Sequence, residues 1–383
     1  MATYIEANSV RFSNTTFYNN QNITNVDLRN TPFVNNDMSN AFSNCKQLIS
    51  VYNIANNITN MSNAFQYCSN LVNIPNIPNT VTNIRSAFYV CSNLVNAPTI
   101  PNSVKDINSA FRYCYNLVDA PVIPNSVTSM SLTFASCTNL INAPVIPNTI
   151  THLGQTFEGC KNLVNAPEIP NSVTTMVGTF RNCTNLINAS VIPNSVTNMM
   201  GTFELCNSLT DAPAIPGSVT NMYTTFDSCK NLVNAPVISN GITSMVNTFK
   251  SCSNLVNAPI LPESVVNLSM TFGYCTNLTG NVYIYSSQVT NAGGCFYGTT
   301  LTKNVYIPFT YNNSSINTAT YNAFIKAGYD ELGTKHGVYL KDINKKVLNV
   351  EGYTYTADSN DNIILTGYTS SNTDVIIPNL EGV

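Results

Sequence analysis

The chain has 383 residues, a net charge of −3, and only 9% charged residues, against about 25% in ordinary globular proteins. Its 16 Lys and Arg are spread too thinly to neutralise a row of phosphates, so no nucleic-acid partner is expected. No apolar run approaches the roughly 18 residues of a membrane span, so no membrane insertion is expected either.

Residues 1–34 read as a polar capping coil. Val10, Phe17 and Ile23 hold the spacings of the units that follow, with Asn20 where those units carry Cys. From 35 to 308 one unit is copied: Cys45, Cys68, Cys91 and their successors to Cys275 fall every 23 residues, each with Phe three residues before and Leu three after. Positions are numbered below from this Cys. Apolar residues recur at −10 (Val81, Val127), −7 (Met61, Met130), −3, +3, +6 (Ala97, Ala143) and +9 (Ile100, Ile146) and are expected to face inward. A fixed period of this length predicts a solenoid whose coils bury their apolar faces on each other. About 13 coils at one strand spacing each make an array of roughly 60 Å.

Within a coil, a strand is expected over the Leu-Val-Asn-Ala-Pro-Val-Ile stretch from +3 to +9. A helical turn or tight loop is expected over Thr-Phe-x-x-Cys on the opposite wall. Pro124-Asn125-Ser126-Val127 marks a corner. Asn at +2 (Asn70, Asn139, Asn254) predicts amide ladders that satisfy turning backbone. Position +8 varies freely (Asn76, Thr99, Val122, Glu168) while +9 is almost uniformly Ile, so +9 is the buried position and +8 the exposed one. The last coil is distorted, with Cys295-Phe296 slipped between Leu278–Ile284 and Leu301–Ile307.

The segment Asn57 to Leu71, with Val/Ile-Thr-x-Met-x-x-x-Phe-x-x-Cys-x-x-Leu recurring in register from about residue 35 to 285, resembles the bacterial BspA-like leucine-rich repeats. Two departures are Ala at +6 and the Pro after it, where a strand would pair. The expected fold is a leucine-rich-repeat-like, β-rich, right-handed solenoid. The resemblance implies an adhesion or receptor-binding role.

Residues 309–383 read as a small α+β module. Asn317 to Ala327 predicts a short helix packed through Tyr321, Phe324 and Ile325 and ended by Gly328. Strands are expected at 338–340, 347–350, 353–356 and 363–365, the last two flanking a turn at 358–361. The stretch from Tyr368 to Pro378 resembles the lead-in to another repeat array, and its edge is expected to meet other virion or surface subunits.

One Cys per coil in a core column reads as a small buried hydrophobe, so free thiols are expected. The chain offers no Cys-x-x-Cys or His pattern for zinc, and no cofactor is expected. His152 and His336 read as solvated loop residues. Glu158, Glu168 and Glu204, in different coils, read as surface charges, not as an acid/base pair. No catalytic residue is assigned.

The candidate binding residues are Tyr67, Tyr89, Tyr113 and Tyr115, aromatics with polar tips on three consecutive coils where other coils place Ser, Gly, Asn or Lys. A second candidate surface is the exposed +8 column through Val122, Val145, Glu168, Val191, Val237 and Ile260. The expected function is non-enzymatic adhesion: a phage virion appendage, of tail or fibre type, that recognises a host-surface glycan or protein. Residues 1–10 lack the basic start and apolar core of a leader peptide, which favours the virion. The alternatives are a structural spacer of a virion and an extracellular bacterial cell-surface adhesin.

Overall fold

The Phe column sets the axis of the molecule. In the computed structural model, rings from Phe17 and Phe42 onward to Phe272 and Phe296 stack one per coil, with centroids 5.0 to 5.9 Å apart and planes within 15° of parallel. This is offset stacking, favoured over a direct sandwich by the ring quadrupole. The structure describes residues 11–299, most of 303–343, and strand backbones at 3–4, 311–312, 315–316, 348–350, 353–357 and 363–368. The expected turn at 358–361, the stretch 374–378 and Val10 lie outside the described residues.

Around the Phe stack, the Val, Met, Cys, Leu and Ile columns are buried in one continuous core, with the Ala column partly buried against it. The choice between +8 and +9 is settled by adjacent residues: Val145 is 88% exposed and Ile146 5%. All the described cysteines are free and buried.

Regular strand is scarcer than expected, and proline explains where it forms. At the N-terminal end β1 (Thr3–Tyr4), β2 (Asn25–Leu28) and β3 (Ser50–Ile54) pair in parallel. At the other end β4 (Val282–Tyr283) and β5 (Lys303–Ile307) do the same. Between them the ladder shrinks to isolated bridges such as Asp119↔Asn142 and Asn165↔Asn188. Pro121, Pro144 and Pro167 stand two residues beyond those bridges and lack the N–H that would continue the pairing. The same slot holds Tyr52 and Val282 where strands do form.

The wall from −5 to −1 is a run of tight turns, not a helix. Residues at −5 and −1 have positive φ, as at Leu132 (59°) and Ser136 (62°), which prevents an α-helical ladder. Alternate amides then serve two purposes. Thr133, Ala135 and Cys137 bond three residues back at 3.0 to 3.2 Å, while Leu132, Phe134 and Ser136 donate to Gly154, Thr156 and Glu158 of the next coil. The left-handed residues thus gain a coil-to-coil hydrogen bond in return for an unfavoured conformation. Asn ladders do occur at +2 (Asn139 to Asn116, 3.5 Å; Asn277 to Asn254, 3.4 Å), but there the amides bond one another. The backbone is capped instead from −8, where Asn83 Oδ1 accepts from Arg85 N at 2.9 Å.

The slipped C-terminal coil is one residue longer. Phe272 N donates to Cys295 O at 2.9 Å, the bond Phe249 N makes to Thr271 O, so Cys295 occupies the slot of a buried Thr and Thr299 that of Cys. β6 (Tyr311–Asn312) and β7 (Ser315–Ile316) form a hairpin. Helix α1 (Ala319–Lys326), capped by the Thr318 hydroxyl, follows with Gly328 at φ 87° just beyond it. Phe324 is fully buried, with its ring centroid 6.4 Å from that of Phe296. Ile325, expected inside, is 41% exposed because the helix turns it about 100° from Phe324. β8 (Val338–Asp342) pairs in parallel with β5. β9 (Leu348–Val350), β10 (Tyr353–Ala357) and β11 (Ile363–Tyr368) form an antiparallel sheet.

Candidate functional site

The turn wall brings the four tyrosines together. Tyr67 N donates to Tyr89 O at 2.7 Å, so position −1 of one coil sits over position −2 of the next. The Tyr67 and Tyr89 rings meet edge to face at 5.4 Å, Tyr89 and Tyr113 at 5.5 Å, and Tyr113 and Tyr115 at 6.0 Å. Tyr67 and Tyr115 are exposed at the ends of this row, and Tyr89 and Tyr113 are half-buried within it. Burial pushes the Tyr89 phenol above its ordinary value, and the neighbouring Tyr67 adds to the effect. The Tyr89 phenol is therefore a neutral hydrogen-bonding tip at physiological pH.

Arg112, which the sequence reading passed over, belongs to the same row. Its guanidinium lies 4.9 Å from the Tyr113 centroid and 6.0 Å from that of Tyr89. One Nη donates to Tyr113 Oη at 3.2 Å, and Nε is buried without a partner. Beyond Tyr67, a cavity of about 390 Å³ opens toward Tyr18, lined also by Asn40, Asn44, Lys46 and Gln66.

Farther along, position −2 carries a charge ladder: Arg181 pairs with Glu204 at 3.2 Å and Glu158 at 3.9 Å, and Lys250 with Asp227 at 3.8 Å. Burial raises the Glu204 and Asp227 carboxyls, with Arg181 and Lys250 acting against it. A second aromatic contact closes this wall, Tyr274 against Tyr297 at 5.3 Å and 84°, with His336 5.7 Å from Tyr297. Tyr67 and Tyr89 also meet at 84°. The signal that could have revealed both pairs is a spacing of one coil less one residue, which the 24-residue terminal coil lengthens to 23 for Tyr274 and Tyr297.

The second candidate surface lies on the strand wall. Val122, Val145, Val191, Val237 and Ile260 are 59 to 88% exposed, with Glu168 exposed in the same column. A cleft of about 560 Å³ runs beside Val145 and Glu168, between Pro147 and Pro167.

The acidic residues considered for catalysis are held separately: Glu158 accepts from Gln155 at 2.8 Å on the turn wall, while Glu168 stands on the strand wall. His152 Nδ1 lies 2.7 Å from the Thr151 hydroxyl. Among the described residues, no group of three His, Cys, Asp or Glu could hold a metal ion, and no helix is long and apolar enough to cross a membrane.

The sequence model described as BspA type Leucine rich repeat region, in six copies, matches residues 3–118, 108–233 and 202–327. Among solved structures, a leucine-rich repeat protein from Bacteroides ovatus is similar over 84% of this chain and 92% of its own, at 21% identity and a TM-score of 0.56. A leucine rich cell surface protein from Faecalibacterium prausnitzii covers 84% and 89% at 23% identity, with a TM-score of 0.49. Among curated proteins, none matches.

Proposed function

Because the chain belongs to the BspA-type leucine-rich repeat family, we propose that it is a non-enzymatic adhesion or receptor-binding protein that attaches to a host-surface ligand through the turn wall. The observation that carries this reading is the unbroken edge-to-face row Tyr67–Tyr89–Tyr113–Tyr115. Exposed aromatic rings with polar tips supply contact area and hydrogen bonds at small cost in side-chain entropy. Coil-to-coil hydrogen bonds hold the row in place before any ligand arrives, so little ordering remains to oppose binding. The scaffold is read as a right-handed solenoid of about 13 coils. Its C-terminal module joins it to other subunits of the particle or surface that displays it.

The test replaces Tyr67, Tyr89, Tyr113 and Tyr115 together by Ser and measures attachment to target cells, with thermal unfolding as the control for folding. The expected result is a folded protein that no longer attaches. Unchanged attachment would remove the turn wall from the function and leave the strand wall or the C-terminal module. Immunogold labelling of phage particles and of bacterial cells separates the two places of display, a virion appendage and a cell-surface adhesin.

A further inference from the structure

Arg112 is a cation without a counter-ion in a column where the other two cations are paired with carboxylates. Arg181 is flanked by Glu158 and Glu204, and Lys250 by Asp227. The neighbours of Arg112 at position −2 are Tyr89 and Ala135, and among the described residues no Asp or Glu pairs with it. Asp106, the acidic residue preceding Arg112 in the same coil, is engaged by Arg85 at 2.8 Å.

The guanidinium is nevertheless held in place. It packs against two rings, its one side-chain hydrogen bond among the described residues goes to the Tyr113 hydroxyl and not to a carboxylate, and its Nε is buried without a partner. A partly desolvated cation with unused donors is costly until an anion reaches it. The fork of Arg suits a planar carboxylate, which it binds through two parallel hydrogen bonds. Exposed Tyr67 and Tyr115 on either side offer faces for the C–H surface of a sugar ring, and Asn40, Asn44 and Gln66 beside Tyr67 offer neutral amides for its hydroxyls. With a net charge of −3 the chain does not attract polyanions at long range, so the acid must be read by contact.

We propose that the tyrosine row binds an acidic glycan and that Arg112 takes the sugar carboxylate. This rests on the adhesion reading above and adds the ligand's chemical class. The test compares binding of the full chain and its Arg112→Gln and Arg112→Lys variants to polygalacturonate, to the same polymer with its carboxyls reduced, and to dextran sulfate. Gln is the residue that stands at position −2 in Gln66, so the variant is compatible with the coil.

The wild-type chain is expected to prefer polygalacturonate over its reduced form at least tenfold. Arg112→Gln should lose that preference without losing its weaker binding to the reduced polymer, and Arg112→Lys should keep part of it. Equal binding of the two polymers by wild type, or an unchanged preference in Arg112→Gln, overturns the proposal. Binding of dextran sulfate as tight as that of polygalacturonate overturns the carboxylate assignment. The adhesion reading fails separately, if the quadruple Tyr→Ser variant still attaches to cells.

Discussion

The thiol of Cys137 donates a hydrogen bond to the carbonyl oxygen of Phe111, 3.1 Å away in the preceding coil. That oxygen also accepts from Cys114 N at 3.1 Å, so both of its lone pairs are used inside the core. The contact recurs at every coil from Cys45 to Cys275. A small apolar side chain with a weak donor meets the needs of this slot, which explains why Cys holds it where Ala would leave both a gap and a half-satisfied carbonyl.

These thiols are expected to resist iodoacetamide in the native protein and to label fully after unfolding, as read by intact mass. Burial raises their pKa and removes the reactive thiolate. Detection of several inter-coil disulfides in the native chain would refute this.

The same burial predicts alkaline lability. Burial pushes the Cys275 thiol from 9.0 to about 12. Well below pH 9, at about pH 7.5 and under, both folded and unfolded thiols are protonated and the stabilisation is fully present. Between pH 9 and 12 the unfolded thiol releases its proton and the folded one does not, so stability falls by about 1.4 kcal/mol per pH unit for each such group. Denaturation midpoints should drop steeply above pH 9 and stay nearly level from about pH 6 to 7.5. A flat profile to pH 11 would contradict the buried thiol column.

Phe157 lies between Phe134 at 5.9 Å and Phe180 at 5.7 Å. Its replacement by Ala should cost about 3 to 5 kcal/mol, as for other core aromatics, measured by chemical denaturation. A loss under about 1 kcal/mol would break the account of the ring stack.

Replacing Pro121 and Pro144 by Val restores two amides beside the Asp119↔Asn142 bridge. The bridge should then lengthen into a strand like Ser50–Ile54, with slow hydrogen exchange at the new amides. Exchange there as fast as at a free loop amide would show that proline is not what interrupts the sheet.

Gly298 has φ 73°, and a Cβ on it would stand 2.6 Å from the Tyr274 ring. Gly298→Ala should cost about 1 to 3 kcal/mol through strain and displace the Tyr274 ring from Tyr297, visible as changed tyrosine ring shifts in NMR spectra. Unaltered shifts and stability would mean that this coil gives way freely.

Much of the architecture was legible in the chain because a solenoid places identical slots on top of one another. A period of 23 residues therefore writes the core directly as columns of Val, Met, Phe, Cys, Leu and Ile, and the uniform Ile at +9 beside the variable +8 was enough to tell inside from outside. The repeat family was recognisable for the same reason. The four tyrosines were singled out by their break with the repeat, and α1 by its composition.

What only the tertiary structure decided are the relations that cross columns. Tyr67 and Tyr89 occupy different slots and meet because a left-handed residue at −1 donates its amide to position −2 of the next coil. The lack of a carboxylate beside Arg112 is a fact about neighbours in adjacent coils, as is the charge balance of Arg181. The extent of strand depended on whether both partners at one level could offer an amide, which Pro121 and Pro144 cannot. The identity of the slot holding Cys295 depended on a single inserted residue, whose place in the coil is fixed by the bond from Phe272 and not by the spacing of cysteines. Periodicity encodes what a coil repeats, whereas contacts between unlike positions depend on how the backbone turns between them.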